Sequence, residues 1–346
     1  MAQQTENRLP VFAAILLAAV VLPLFLKSQD AKSRTLVVYC AHDAIFAHSI
    51  VQSFEQSTGI HVQIRYDEEA NKSLGLTNLL IAEKDQPRCD VFWNNQTLGT
   101  IRLKKEGVLQ PCDPSLFDRI PQQFKDPDHQ WAGFAARLRV YIVNTKLMSA
   151  TEDAVENSLA SDSLAHAAIA VPLFGTTLSH YAVLCDEMGF EELKTWHRSL
   201  RDRGVREARG NGAVKDLVAE GACQLGFTDT DDVFVAIDQG KPVRMLPVRL
   251  KSKRTICLPN SVAKIRDCPH PELADKFIRY LLSEEVEILL ANSASRQIPL
   301  GPVDETQLPA DLQPLLKWAA EGVSLDGAAK HDQEVLTWLT QEYSGK

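Results

Sequence analysis

The sequence TLVVYCAHDAIF at residues 35–46 predicts a strand, a polar loop and the start of a helix. Its first six residues are mostly β-branched or aromatic, as is typical of a strand. After the loop, apolar side chains recur at Phe46, Ile50 and Phe54, which lie on one face of a helix, and Gly59 is expected to end that helix. A strand that leads through a polar loop into a helix is typical of α/β proteins.

The same order repeats downstream. Residues 60–66 alternate as a strand, 74–83 predict a helix, and DVFW at 90–93 predicts a buried strand before a helix that ends near Gly107. This βαβαβα order predicts a parallel sheet covered by helices.

A second α/β unit follows. Its predicted strands are 141–144, 168–171 and 225–228, and the strand that returns to the first unit is 255–258. The later predicted helices are 271–282, 284–291 and two stretches around Trp318 and Trp338. We therefore expect a leader at residues 1–34, a first lobe from 35–138 and 255–346, and a second lobe from 139–254.

Length and charge limit the possible functions. At about 150 residues per domain, 346 residues predict two domains. The chain carries 37 basic and 45 acidic residues, a net charge of -8. A nucleic-acid partner is not expected, because it would need a basic face.

Residues 9–26, LPVFAAILLAAVVLPLFL, contain no charged or hydrogen-bonding side chain. They predict an apolar helix that is a signal peptide or a membrane anchor. No small-x-small cleavage site or lipidation cysteine follows, so both alternatives stay open.

Seven cysteines contain no C-x-x-C, which argues against a zinc ribbon or a thioredoxin motif. In an exported chain, Cys89 could pair with Cys112, or Cys257 with Cys268. The sequence cannot settle either disulfide, because pairing requires a particular Cα separation.

The usual nucleotide-binding, zinc-protease and hydrolase motifs are missing, so no catalytic residue is predicted. In open α/β sheets the ligand lies beyond the carboxyl ends of the strands, where this chain has four polar loops. Their candidate ligand-binding residues are His42, Asp43, Asn94, Asn95, Gly175, Thr176, Thr177, Thr228, Asp229, Thr230, Asp231 and Asp232.

Each loop could also simply cap a helix. The last loop has the strongest chemical signal, because three carboxylates within four residues repel one another unless a cation, a basic side chain or helix N–H groups neutralise them. Arg137 and Arg139 flank the crossing between lobes, and one of them could balance these acids or bind an anionic ligand.

The ordered stretches WAGFAARLRVYIVNT (131–145), VPLFGTT (171–177), GFTDTDD (226–232) and PHPELADKFIRYLLSEEVE (269–287), with others between residues 35 and 300, resemble the extracellular solute-binding proteins of ABC importers. Within them the chain most resembles the ferric-iron-binding group. The resemblance implies a type II periplasmic-binding-protein fold, an α/β fold whose two hinged lobes close on one ligand. It also implies an exported, periplasmic monomer whose partners are an ABC permease and an ATPase.

The resemblance implies a ferric ion as the transported ligand, accompanied by an anion. Thr230 and Asp231 stand where iron-binding members carry two adjacent tyrosines, so the tyrosine site does not carry over. The metal ligands left to consider are His42, Asp43 and Asp231, with Asn95 at an acidic position of the family. The anion positions match at Gly175, Thr176, Arg137 and Asn211.

Other ligands and functions stay open. The acidic loop favours a cation, whereas Arg137 and the helix start at Gly175 favour an anion. The related ligand classes are thiamine, polyamines, phosphonates and sugar phosphates. The alternatives from other classes are a hydrolase that uses Asp231 or Asp232 as a general base, and a purely structural anchored domain.

Overall fold

The computed structural model describes residues 35–42, 44–67 and 74–344. The apolar segment 9–26 and the candidate Asp43 therefore lie outside the described residues. Within those three ranges, no helix has the length and apolar character needed to cross a membrane.

The first lobe begins with the predicted alternation of strands and helices. Its elements are β1 (Thr35–Cys40), α1 (Ala44–Thr58), β2 (His61–Tyr66), α2 (Leu74–Ala82), β3 (Val91–Asn94) and α3 (Leu98–Lys105). Strand β1 lies between β2 and β3 and runs parallel to both. Gly59 ends α1 with a φ of 68°, a left-handed conformation that glycine adopts without a steric penalty.

One long strand, β4 (Trp131–Asn144), crosses between the lobes. Up to Leu138 it pairs with β9 (Cys257–Lys264), and from Arg139 onward it pairs with β7 (Leu225–Asp229). Strand β8 (Val243–Pro247) lies against the same second half of β4. The strand order is β2-β1-β3-β9-β4-β7-β5-β6, with β8 on β4.

The parallel sheet predicted from the βαβαβα order is confirmed for β1, β2 and β3, but it does not extend to the crossing. The pairings of β4 with β7, β8 and β9, and of β3 with β9, are antiparallel. The physical reason is connectivity. Strand β4 carries the chain out of the first lobe and β9 brings it back, so the two run in opposite directions.

The second lobe repeats the parallel arrangement. Its strands β5 (Ala167–Ala170) and β6 (Arg206–Ala208) run parallel to each other, and β5 runs parallel to β7. The helices of this lobe are α4 (Glu152–Leu159), α5 (Gly175–Met188), α6 (Phe190–Asp202), α7 (Asn211–Ala219) and α8 (Thr230–Asp238).

The chain ends in helices α9 (Pro271–Leu281), α10 (Glu284–Ala291), α11 (Gln313–Ala320) and α12 (Asp332–Tyr343). The sequence assigned all of them to the first lobe, but α12 contacts the second. Trp338 packs edge-on against Phe190 and His197 of α6, at ring-centroid distances of 5.8 and 5.4 Å. Glu342 pairs with Arg198 at 3.0 Å. The aromatic and acidic side chains of α12 thus find their partners on the second lobe.

All seven cysteines are buried, free thiols, so neither conceivable disulfide is present. Burial raises the pKa of the Cys112 thiol to about 12, which keeps it protonated and unreactive. These cysteines pack as small apolar residues.

Candidate ligand-binding site

The second lobe builds its site around Asp229, the last residue of β7. This carboxylate is 3% exposed. Its Oδ1 accepts a hydrogen bond of 2.7 Å from Arg139 Nη1, and its Oδ2 accepts one of 2.9 Å from Asn211 Nδ2 and another from the Thr176 hydroxyl. Both carboxylate oxygens are therefore occupied by partners from the same lobe.

Three helix N-termini meet at this carboxylate. Thr176 is the second residue of α5, Asn211 is the first of α7, and α8 begins directly after Asp229. None of the three helices has a side-chain cap on its first turn. Because helix N-termini carry partial positive charge, they stabilise a carboxylate here. The Thr177 hydroxyl bonds Asn211 Oδ1 at 3.0 Å and holds the amide in place.

Arg139 is the basic residue that neutralises Asp229. It is fully buried, and its Nε donates to His180 Nδ1 at 3.4 Å. Burial and the neighbouring guanidinium hold the pKa of His180 well below its usual value, so the imidazole is neutral and can accept this bond. The pattern R-x-R on β4 places Arg137 and Arg139 on the same side of a strand, but it does not say which one meets the acid.

Arg137 lies near the second acid of the loop instead. Its Nε is 3.9 Å from Asp231 Oδ2, a long contact for an ion pair. The side chain of Asp231 keeps 26% of its surface exposed. Although it opens to solvent at one side, burial raises its pKa, with Arg137 acting in the opposite direction. Asp231 Oδ1 also accepts a 3.2 Å hydrogen bond from the backbone N–H of Asp232, so the partners of Asp231 are more distant than those of Asp229.

Asp232 completes the group. Oxygen atoms of Asp229, Asp231 and Asp232 all lie within 4.8 Å of one another. Asp232 Oδ2 accepts a 2.6 Å hydrogen bond from the Thr228 hydroxyl. Burial and the two neighbouring carboxylates raise the pKa of Asp232 to about 7. Thr230 supports the loop structurally, because its hydroxyl accepts a 3.3 Å hydrogen bond from the backbone N–H of Leu138.

The structure does not bring His42 to these acids. Its Nε2 lies 3.0 Å from Gln297 Nε2, and its ring lies 5.3 Å from that of Trp93. Asn94 is also fully buried and donates to Thr100 at 3.4 Å. Both predicted ligand residues thus belong to the interior of the first lobe. Because Asp43 lies outside the described residues, the metal set of His42, Asp43 and Asp231 stays a prediction.

Gln96 makes a contact between the lobes that sequence reasoning missed. Its Oε1 accepts hydrogen bonds from the backbone N–H of Leu98 at 2.8 Å and from the Ser179 hydroxyl of α5 at 3.4 Å. A narrow void of about 10 Å³ lies beside Gly175, Gln96 and Ser179. Asn95, which is 8% exposed, has a buried Oδ1 with no hydrogen-bond partner among the described residues.

A family model for bacterial extracellular solute-binding proteins matches residues 36–293. The chain belongs to this family. Iron uptake protein A1 from Synechocystis sp. is 22% identical over 259 residues, covering 71% of this chain and 70% of the relative. The predicted role as a solute receptor is thereby confirmed.

Two solved structures show the same fold. The apo ferric ion-binding protein A of Pasteurella haemolytica aligns with a TM-score of 0.76 at 18% identity, covering 89% of this chain and 97% of that one. The periplasmic binding protein AfuA of Actinobacillus pleuropneumoniae, with exogenous fructose-6-phosphate bound, aligns with a TM-score of 0.68 at 16% identity, covering 90% of this chain and 98% of that one. The predicted two-lobed periplasmic-binding fold of this solute-binding protein is therefore confirmed.

Proposed function

We propose that this solute-binding protein is the receptor of an ABC importer and that its ligand is ferric iron bound together with an anion. It would capture the ligand between its lobes on the periplasmic side and deliver it to a permease driven by an ATPase. Membership of the family supports the receptor role. The relatives named for iron uptake and ferric-ion binding support the choice of ligand.

The observation that carries the ligand assignment is the position of Asp231 and Asp232. Ferric iron is a hard cation that favours oxygen ligands, and these two carboxylates lie side by side at the open end of the acidic group. Asp229 is already bonded on both oxygens, so its role is to orient Arg139 and the three helix starts. No covalent chemistry is required of any of these groups.

A bound anion would complete the coordination that the missing phenolates cannot supply. The N-terminus of α5 at Gly175 has uncapped backbone N–H groups, and a Cβ placed on that glycine would meet nothing within 4 Å. Backbone N–H groups at a helix start favour an anion. Arg137, beside Asp231, adds a positive charge.

Calorimetric titration of the full-length protein with ferric citrate tests this assignment. We expect binding by the wild type and about tenfold weaker binding by Asp231→Asn, since one ligand oxygen loses its charge. Asp216→Asn is the matched control, because Asp216 lies on the neighbouring helix α7, is 66% exposed and pairs with Lys215 next to it in the chain. Absence of binding by the wild type, or unchanged binding by the Asp231→Asn, Asp232→Asn double variant, would refute the iron assignment.

A sugar phosphate is the second candidate. The uncapped start of α5 and the nearby Arg137 suit a phosphate group, and the structurally similar AfuA has fructose-6-phosphate bound. Titration with fructose-6-phosphate distinguishes the two. Binding that Arg137→Ala abolishes and Asp231→Asn leaves unchanged would favour the phosphate ligand over iron.

We further propose that the lobes divide on β4 between Leu138 and Arg139, where its pairing partner changes. Segment 9–26 would direct export and could remain as the anchor. Membrane fractionation after a high-salt wash checks the anchor, because a cleaved protein would stay in the soluble fraction.

A further inference from the structure

A register shift interrupts β4 before it leaves the first lobe. Phe134 lies opposite Asn260 of β9. Ala136, two residues further along β4, lies opposite Pro259, which is only one residue from Asn260. Ala135 is therefore an extra residue in β4, which makes a β-bulge. Proline is tolerated at a bulge, because it has no N–H to donate to a regular ladder.

The bulge decides which face of the sheet Arg137 occupies. Residues that lie opposite each other in a sheet point to the same face, as do residues two apart along a strand. Arg137 lies opposite Leu258, which is two residues from Asn260 on β9. Arg137 therefore shares a face with Phe134, the residue opposite Asn260, although the two are three residues apart. In a strand without the extra residue, an odd separation would place them on opposite faces.

The face that Arg137 occupies leads to the acids of the second lobe. Arg139, two residues further on, lies opposite Asp229 and donates to its Oδ1 at 2.7 Å. Arg137 Nε is 3.9 Å from Asp231 Oδ2. Phe134, on the same face, is fully buried in the first lobe. Without the extra residue, either Phe134 would leave the core or both arginines would turn away from the acids.

A buried carboxylate of the first lobe holds the bulge. Glu287 of α10 is fully buried, and its Oε1 accepts a 3.0 Å hydrogen bond from the backbone N–H of Ala135. The side-chain amide of Asn260 donates to the Ala135 carbonyl. Ala135 has a φ of 41°, in the left-handed region that residues other than glycine adopt at a cost. Two side chains of the first lobe thus fix an unfavourable backbone conformation.

We propose that Glu287 is a positioning residue of the ligand-binding site. By holding the bulge at Ala135, it keeps Arg137 beside Asp231, where the guanidinium binds the anion of the ligand. Glu287 acts through Arg137 and does not itself touch the ligand. This role rests on the proposed function of Arg137 as an anion-binding group, whereas the position of Arg137 can be measured without a ligand.

A crystal structure of ligand-free, full-length Glu287→Ala tests the position of Arg137. We expect the bulge to be displaced and the Arg137 guanidinium to move away from Asp231, because the N–H of Ala135 loses its acceptor. An Arg137 that still lies beside Asp231 would overturn the proposal. This measurement does not depend on which ligand the protein carries.

Calorimetric titration with ferric citrate and with fructose-6-phosphate tests the consequence for binding. Whichever probe the wild type binds, Glu287→Ala should weaken it about tenfold, as the loss of one charged hydrogen bond does. Unchanged binding by the folded variant would overturn the proposal. Binding of neither probe by the wild type would refute the proposed function instead, and the crystal structure would still decide the position of Arg137.

Asp90→Ala is the matched control for a loss of stability alone. Asp90 is also a fully buried carboxylate of the first lobe, and it accepts hydrogen bonds of 2.8 and 2.7 Å from the backbone N–H groups of Val37 and His270. Both variants should lower the free energy of unfolding in urea, but only Glu287→Ala should weaken binding. An equal loss of affinity in the two folded variants would show that Glu287 is merely structural.

Two changes at Ala135 give a second measurement, which holds even if Glu287→Ala does not fold. Glycine adopts a positive φ without a steric penalty, whereas a β-branched residue rarely adopts one. Ala135→Gly should therefore keep the bulge, and Ala135→Val should displace it. We expect Ala135→Val to bind the probe more weakly than Ala135→Gly does and to show the displaced Arg137 in its crystal structure. Equal binding with an unmoved Arg137 would overturn the role of the bulge.

Discussion

The two lobes approach each other with different chemistry. The second lobe presents Asp229, Asp231 and Asp232 with Arg137 and Arg139, whereas the first lobe presents uncharged amides, such as Asn95 and Gln96. The charged side is held by buried ion pairs and helix starts, and the amide side by neutral hydrogen bonds. The difference indicates that the second lobe selects the ligand by charge and the first lobe completes the enclosure.

The largest effect should come from breaking the buried ion pair of the second lobe. Asp229→Ala would leave Arg139, which is fully buried, without its counter-charge. We expect a loss of about 3–5 kcal/mol in the free energy of unfolding, measured with urea. A loss below about 1 kcal/mol would mean that the charged groups of the second lobe contribute no more to stability than the neutral hydrogen bonds of the first lobe.

Asp232 should give the second lobe a pH dependence of stability. Its pKa is raised to about 7 in the folded protein, so folding favours its protonated form. The stabilisation is full below the unfolded pKa of about 4 and is lost as the pH rises through about 7. We expect the ligand-free wild type to lose more unfolding free energy between pH 4 and pH 8 than Asp232→Asn does. Parallel pH profiles for the two proteins would contradict this.

Breaking the neutral hydrogen bonds around Gln297 in the first lobe should have an intermediate effect on the free energy of unfolding. Gln297 contacts His42 at 3.0 Å, and its Oε1 accepts a 2.6 Å hydrogen bond from Asn260 Nδ2. Gln297→Leu removes both hydrogen bonds and should cost about 1–3 kcal/mol in urea unfolding, because each is a buried hydrogen bond of a side chain that is 1% exposed. A cost as large as that of Asp229→Ala would remove the contrast between the lobes.

The smallest effect should come from the surface pair that joins the lobes. Arg296 of the first lobe binds Asp238 of α8 with two hydrogen bonds, of 2.9 and 2.8 Å. Since the side chain of Asp238 is 47% exposed, Asp238→Asn should lower the free energy of unfolding less than Gln297→Leu does, and less still at high salt. A larger cost that does not respond to salt would show that this pair clamps the lobes.

Much of the fold follows from local pattern. The periodicity of Phe46, Ile50 and Phe54 and the stop at Gly59 correspond to α1, and the DVFW stretch corresponds to β3. Local pattern could not predict the antiparallel pairing of β4 with β7, β8 and β9, because strand direction in a sheet depends on which distant strand is the neighbour. The same holds for α12, whose partners on α6 are more than a hundred residues away in the chain.

The candidate site, like the fold, was predicted from the sequence only in part. Four polar loops and an unusual group of acids are visible in the sequence because polar side chains at strand ends are a local feature. Only tertiary structure decides that Arg139 neutralises Asp229, that His42 bonds Gln297 and that Gln96 reaches Ser179. Residue type sets which charges and hydrogen-bond groups exist, whereas partner choice depends on burial and on contacts between distant parts of the chain.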